Sequence, residues 1–138
     1  MADLSVAESV LTWAEDHPML SGLDVGMEDF AGVPSVMVQT LVGEPYITRY
    51  KSGGYLAAHP FALYLRIDGT DSKSRLDALR LLGDIGRSID DEATWPAAPD
   101  GYNFIGLELR TTPARVAVSD DGIEDYQATF ELKYRKKG

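Results

Sequence analysis

A chain of 138 residues with a formal net charge of −9 and no cysteine falls in the size range of one domain. The missing cysteines exclude disulfides and thiolate metal sites. The acidic balance argues against tight, sequence-specific nucleic-acid binding, which needs a basic surface to neutralise phosphates.

The opening stretch MADLSVAESVLTWAEDHP lacks the basic and then long apolar pattern of a signal peptide. No apolar run reaches the roughly 20 residues of a spanning helix, so a soluble protein used without export and without a membrane is expected. The first element reads as a helix. Ser5 and Glu8 have capping-box spacing, Val6, Val10, Trp13 and Ala14 share one face, and Pro18 stops it. Ser21 to Gly32 reads as loop around a short extended piece. Ser35 to Leu41 and Tyr46 to Lys51 predict strands, with Gly43, Glu44 and Pro45 as the turn between them.

The next stretch, SGGYLAAHP, reads as irregular, because the pair Gly53 and Gly54 permits positive φ. From Phe61 the chain alternates. Phe61, Leu63, Leu65 and Ile67 take one face and Ala62, Tyr64 and Arg66 the other, so one face is buried and the other wet or shared with a partner. A second helix follows, capped by Asp71 or Ser74, with Ala78, Leu81, Leu82, Ile85 and Ile89 along one stripe. Asp77, Arg80, Asp84 and Arg87 can pair on its opposite side. Gly86 lies at the stripe's edge, where a sheet could approach closely. After Asp91 the segment EATWPAAPDGYN is a loop.

Phe104 to Thr111 then leads through Pro113 into Ala114 to Ser119. Asp120, Asp121 and Gly122 form a turn, and the last strand runs from about Asp125 to Lys136. The expected fold is α+β, a single domain over residues 1–138, with a mainly antiparallel sheet and both helices packed on its one apolar face.

Groups that could support catalysis do not converge in the sequence. His17 falls at the end of the first helix, where a cation suits the helix dipole. His59 precedes Pro60 and reads as a turn or surface residue. Neither has a second histidine or an acid at ligand spacing, so zinc is not expected. There is no G-x-S-x-G elbow, no G-x-G-x-x-G and no Walker loop. Asp120, Asp121, Glu124 and Asp125 could hold calcium but lack EF-hand spacing, and a solvated turn is the plainer reading. The expectation is a protein that is not an enzyme and carries no cofactor or metal.

Three stretches together resemble a known family: KSGGYLAAHPFALYLRIDGTDSKSRLDAL, SIDDEATWP and LELRTTPARVAVSDDGIEDYQATFELKY. The chain is similar to the phage tail-terminator proteins, often labelled "minor capsid protein", of long-tailed phages of Gram-positive bacteria. Residues 50 to 136 carry the resemblance, and the closing pattern E-D-Y-Q-A-x-F-x-L-x-Y, from Glu124 to Tyr134, is its most specific part.

The resemblance implies a small subunit that forms a ring, typically sixfold, on the head-proximal end of the tail tube. That ring stops tube polymerisation and offers a surface to a head or neck connector protein. DNA passes through it without specific binding, and an acidic lumen wall would help it pass. The protein would be made in the bacterial host cytoplasm and end in the virion. It implies no catalytic residues and no cofactor. Another neck or head-completion protein is the alternative of the same kind; a small-ligand-binding module or an enzyme is the alternative from another class.

Two sets of residues are candidates for contact. The loop from Lys51 to His59, with Tyr50, Lys51, Gly53, Gly54, Tyr55 and Leu56, combines glycines with apolar groups that a monomer would hide. Deleting Gly53 and Gly54 is expected to impair attachment to tails while leaving the fold intact. The second set is charge at the two ends of the last strand: Asp120, Asp121, Glu124 and Asp125 before it, Lys133, Arg135, Lys136 and Lys137 at its far end. About ten residues at roughly 3.3 Å each separate the clusters by about 30 Å. Opposite charges at two ends suit heterologous contacts that close a ring by rotation.

Overall fold

The computed structural model describes residues 4–29, 32–42, 46–69 and 71–138. The expected turn at Gly43, Glu44 and Pro45 lies outside the described residues. Helix α1 (Leu4–Asp16) buries Val6, Ala7, Val10, Trp13 and Ala14, which recur at helical spacing. Ser5 is inside this helix rather than capping it, because the helical turn already includes Leu4. Pro18 opens a short 3-10 helix (Pro18–Leu20), where its missing N–H is no loss.

The strands β1 (Asp24–Met27), β2 (Ser35–Thr40), β3 (Thr48–Arg49) and β4 (Tyr55–Asp68) follow, then helix α2 (Ser72–Ser88), a 3-10 helix (Glu92–Thr94), β5 (Tyr102–Val118) and β6 (Ile123–Lys136). The described strands form one sheet in the order β1-β2-β4-β6-β5, with β3 also on β4. All pairings are antiparallel except β1 with β2. The architecture is α+β, as the patterning predicts.

Alternation along the strands builds the core. Val36 and Val38 lie opposite Leu65 and Leu63, and these lie opposite Tyr126 and Ala128. Phe61 and Phe130 stack face to face with centroids 5.2 Å apart. Both helices pack on this face, α1 through Val10 and Trp13, α2 through Ala78, Leu82 and Ile85, in one continuous cluster. Asp71 caps α2, its carboxylate accepting from the Ser74 N–H at 2.8 Å. A Cβ on Gly86 would stand 3.0 Å from Leu109 Cδ2, so the glycine does admit a close approach of β5.

Three expectations are corrected. The stretch SGGYLAAHP is not irregular beyond its glycines, since β4 begins at Tyr55 and runs through Pro60. The Pro60 carbonyl accepts from Leu41, just past the end of β2, so the missing Pro60 N–H points where the ladder has already ended. His59 is buried in β4 rather than at a surface turn. His17 is buried as well; its Nδ1 accepts from the Met19 N–H, and burial lowers its pKa, which disfavours the cation expected there.

Candidate interaction surfaces

Among the described residues no helix covers the face of the sheet opposite α1 and α2, and that face is largely polar. Arg66 on β4 forms a fork with Asp125 on β6, Nε to Oδ1 at 2.8 Å and Nη2 to Oδ2 at 3.0 Å. Gln127 donates to the Tyr64 hydroxyl at 2.7 Å, and the Thr111 and Thr129 hydroxyls meet at 2.7 Å. Ala62, also on this parity, is nonetheless fully buried between Gln39 and Thr129.

β5 is an edge strand, and its outer side has no partner strand among the described residues. From Arg110 onward it is exposed on both faces apart from half-buried Pro113, with Val116 and Val118 about half exposed. Pro113 and register shifts at four places interrupt the strand, features that blunt uncontrolled edge pairing.

The four acids before β6 do not form one solvated cluster. Glu124 falls on the parity of Tyr126 and Phe130, so its side chain enters the helix-covered side and is 2% exposed. There it meets Arg75 Nε at 3.1 Å and Arg115 Nη1 at 3.4 Å, and it accepts from the Tyr126 hydroxyl at 2.8 Å. Arg75 also donates to the Gly69 carbonyl at 3.0 Å. Burial pushes the Glu124 carboxyl up, but the Tyr126 and Arg75 hydrogen bonds and the charges of Arg75 and Arg115 outweigh it, and the pKa is lowered. Burial, and then the bond to Glu124, raise that of Tyr126. Glu124 and Asp125 are thus engaged within the chain, which leaves Asp120 and Asp121 as the exposed acids of this turn.

At the other end of β6 the charges gather as expected and gain company. The register aligns Arg49, Tyr55, Lys136 and Tyr102 across three pairings, with Arg135 opposite Leu56. Arg49 lies 4.5 Å over the Tyr46 ring and Lys136 Nζ 4.9 Å over that of Tyr102. The candidate loop is smaller than expected: Tyr50, Lys51 and Gly53 are exposed in a tight turn closed by Tyr50 N–H to Gly54 carbonyl at 2.8 Å. Gly53 has φ of 96° there. Gly54 is buried, and a Cβ on it would stand 2.6 Å from the Lys136 carbonyl oxygen. Tyr55 and Leu56 are half-buried in β4. Gly54 therefore belongs to the packing of the sheet's end, and its deletion would not leave the fold intact.

The sequence did not single out a groove of about 750 Å3 between α1 and the segment before β5. Trp13 and Trp95 line it, each tied to backbone: Trp13 Nε1 donates to the Thr94 carbonyl and Trp95 Nε1 to that of Ile89, both at 2.6 Å. Glu8, Thr12 and Asp16, on the exposed stripe of α1, form its other wall. The i, i+4, i+8 spacing of those three polar residues was its one sequence signal. Among the described residues no cluster of His, Asp and Glu could hold a metal ion, and no helix is long and apolar enough to cross a membrane.

No protein-family model and no curated protein matches this chain. A solved structure resembles it at 14% identity with a TM-score of 0.46, over 98% of this chain and 92% of the other. A likeness of that degree carries no argument about function.

Proposed function

We propose that this protein is a structural virion subunit, a tail terminator that assembles as a ring on the head-proximal end of a phage tail tube. The observation that carries the reading is the second half of β5, an edge strand exposed on both faces with Val116 and Val118 presented to solvent. Apolar groups displayed this way mark a contact surface more readily than a free one. The bare polar face of the sheet and the separated basic and acidic ends support it, since heterologous contacts need two different surfaces on one subunit. The closing pattern from Glu124 to Tyr134, which resembles that of the tail-terminator family, supports the reading as well. Its alternate residues are the β6 contribution to the core.

On this reading the protein works by binding alone, with no cofactor. Its ring covers the last turn of tube protein, leaves a passage for DNA and meets a neck protein on its far side. The test is to add purified protein to tail tubes growing from purified tube protein. Growth should stop, with a ring at the blocked ends. Unchanged growth would contradict the reading, and binding to heads in place of tubes would favour a neck or head-completion protein.

A further inference from the structure

The cations of this acidic chain divide into two groups. Among the described residues, Arg66, Arg75, Arg80, Arg87, Arg110 and Arg115 are held in ion pairs within the chain. Of those outside such pairs, Arg49, Lys51, Lys133, Arg135, Lys136 and Lys137 lie together at one end of the sheet, placed there by the register of β3, β4 and β6. Lys73, at the start of α2, lies elsewhere. Exposed Tyr46, Ile47 and Tyr50 lie among them. A net charge of −9 conceals this basic end, and the surface remaining once it is set apart is more acidic still.

Helix α1 has the opposite imbalance. It carries Glu8, Glu15 and Asp16 and no lysine or arginine. Glu15 and Asp16 add negative charge to the end of a helix that is already negative by its dipole. No described cation pairs with any of the three. Glu8 and Asp16 edge the groove, while Trp13, Trp95 and Pro96 give it an apolar floor. Exposed Asp91 and Glu92 come just before its far wall.

We infer that the groove beside α1 receives the basic end of a second copy of this chain. The carboxylates of Glu8 and Asp16 meet Arg135 and Lys137 of the neighbouring copy, and the aliphatic stems of those cations lie against Trp95. A groove on one surface and its complement on another make the contact heterologous, able to repeat around a ring. The inference deepens the ring reading and rests on it for closure, whereas the contact itself is a property of the chain in solution. Nucleic acid is a weaker occupant of the basic end, because the acidic remainder of the molecule repels it.

The test uses charge reversal on each side. One variant carries Glu8→Lys and Asp16→Lys, the other Arg135→Glu and Lys137→Glu; all four residues are exposed, and melting curves check that both variants fold. Light scattering at low salt reports mass. The wild type should associate, and each variant alone should bind itself about tenfold more weakly or worse. An equimolar mixture should regain association, since each groove then faces an end of opposite charge. A wild type that stays monomeric overturns the inference, and so does a variant that associates like wild type or a mixture no better than its parts. Retention of a DNA oligomer by a monomeric wild type would give the basic end to nucleic acid instead. Rescue by mixing without any effect on tube growth would keep this contact and sink the terminator reading. Tube growth stopped equally by both reversed variants would do the reverse.

Discussion

Glu124 shows what one residue's strand parity can decide. An acid two positions before Tyr126 must point to the core side, so it is buried, and Arg75, Arg115 and Tyr126 make that burial tolerable. Its lowered pKa means that the unfolded chain takes up the proton at higher pH than the folded one. The stability it contributes is therefore full above the ordinary glutamate value of 4.5 and is lost as pH falls toward the folded value. Glu124→Gln should lower the Tm near neutral pH by more than Asp77→Asn on the surface, and should flatten the acid-side decline in melts taken across pH. An equal effect at every pH would contradict this. His17 acts through burial alone. Its lowered pKa leaves a slope below the ordinary value of 6.5, where the unfolded chain binds the proton first and stability is lost as pH falls. His17→Asn, which can still accept from Met19 N–H, should abolish that slope while largely keeping the neutral-pH Tm.

Elements were legible in the sequence where one periodicity ran without interruption. The stripe of α2, the core parity of β4 from Phe61 and the alternation of β6 each appear in the structure as expected. The start of β4 was hidden because Gly53, Gly54 and Pro60 punctuate a strand whose outer side is only partly laddered. The run of acids around Glu124 hides its strand parity, and it is the parity that buries it. The groove was illegible because its walls, α1 and the segment before β5, are about 80 residues apart and only tertiary packing joins them. The glycines of α2 test the element account. Gly83 has open space around its Cβ position, so Gly83→Ala should stabilise by roughly 0.5–1 kcal/mol. Gly86→Ala should gain less or lose, because Leu109 stands in the way. Gly54→Ala should cost about 1–3 kcal/mol through overpacking against the Lys136 backbone. Urea melts check all three, and a neutral Gly54→Ala would return that residue to a mobile loop.

For the whole molecule, the arrangement separates what holds the fold from the surfaces proposed to meet partners. The core and its helices occupy one side of the sheet, while the bare face, the β5 edge and the two charged ends look outward. Replacing both Val116 and Val118 by Asp should change stability by about 0.5 kcal/mol or less per site, because both are exposed. The same double variant should weaken self-association in light scattering without abolishing it, since the groove beside α1 and the basic end are untouched. A large loss of stability would assign these valines to the fold, and unchanged association would remove β5 from the ring contact.

The most direct test of the structural-virion account is electron microscopy of lysates from the parent phage with this gene deleted. The account predicts tails of uncontrolled length, with filled heads that fail to join them. Joined, infectious particles with tails of normal length would contradict it.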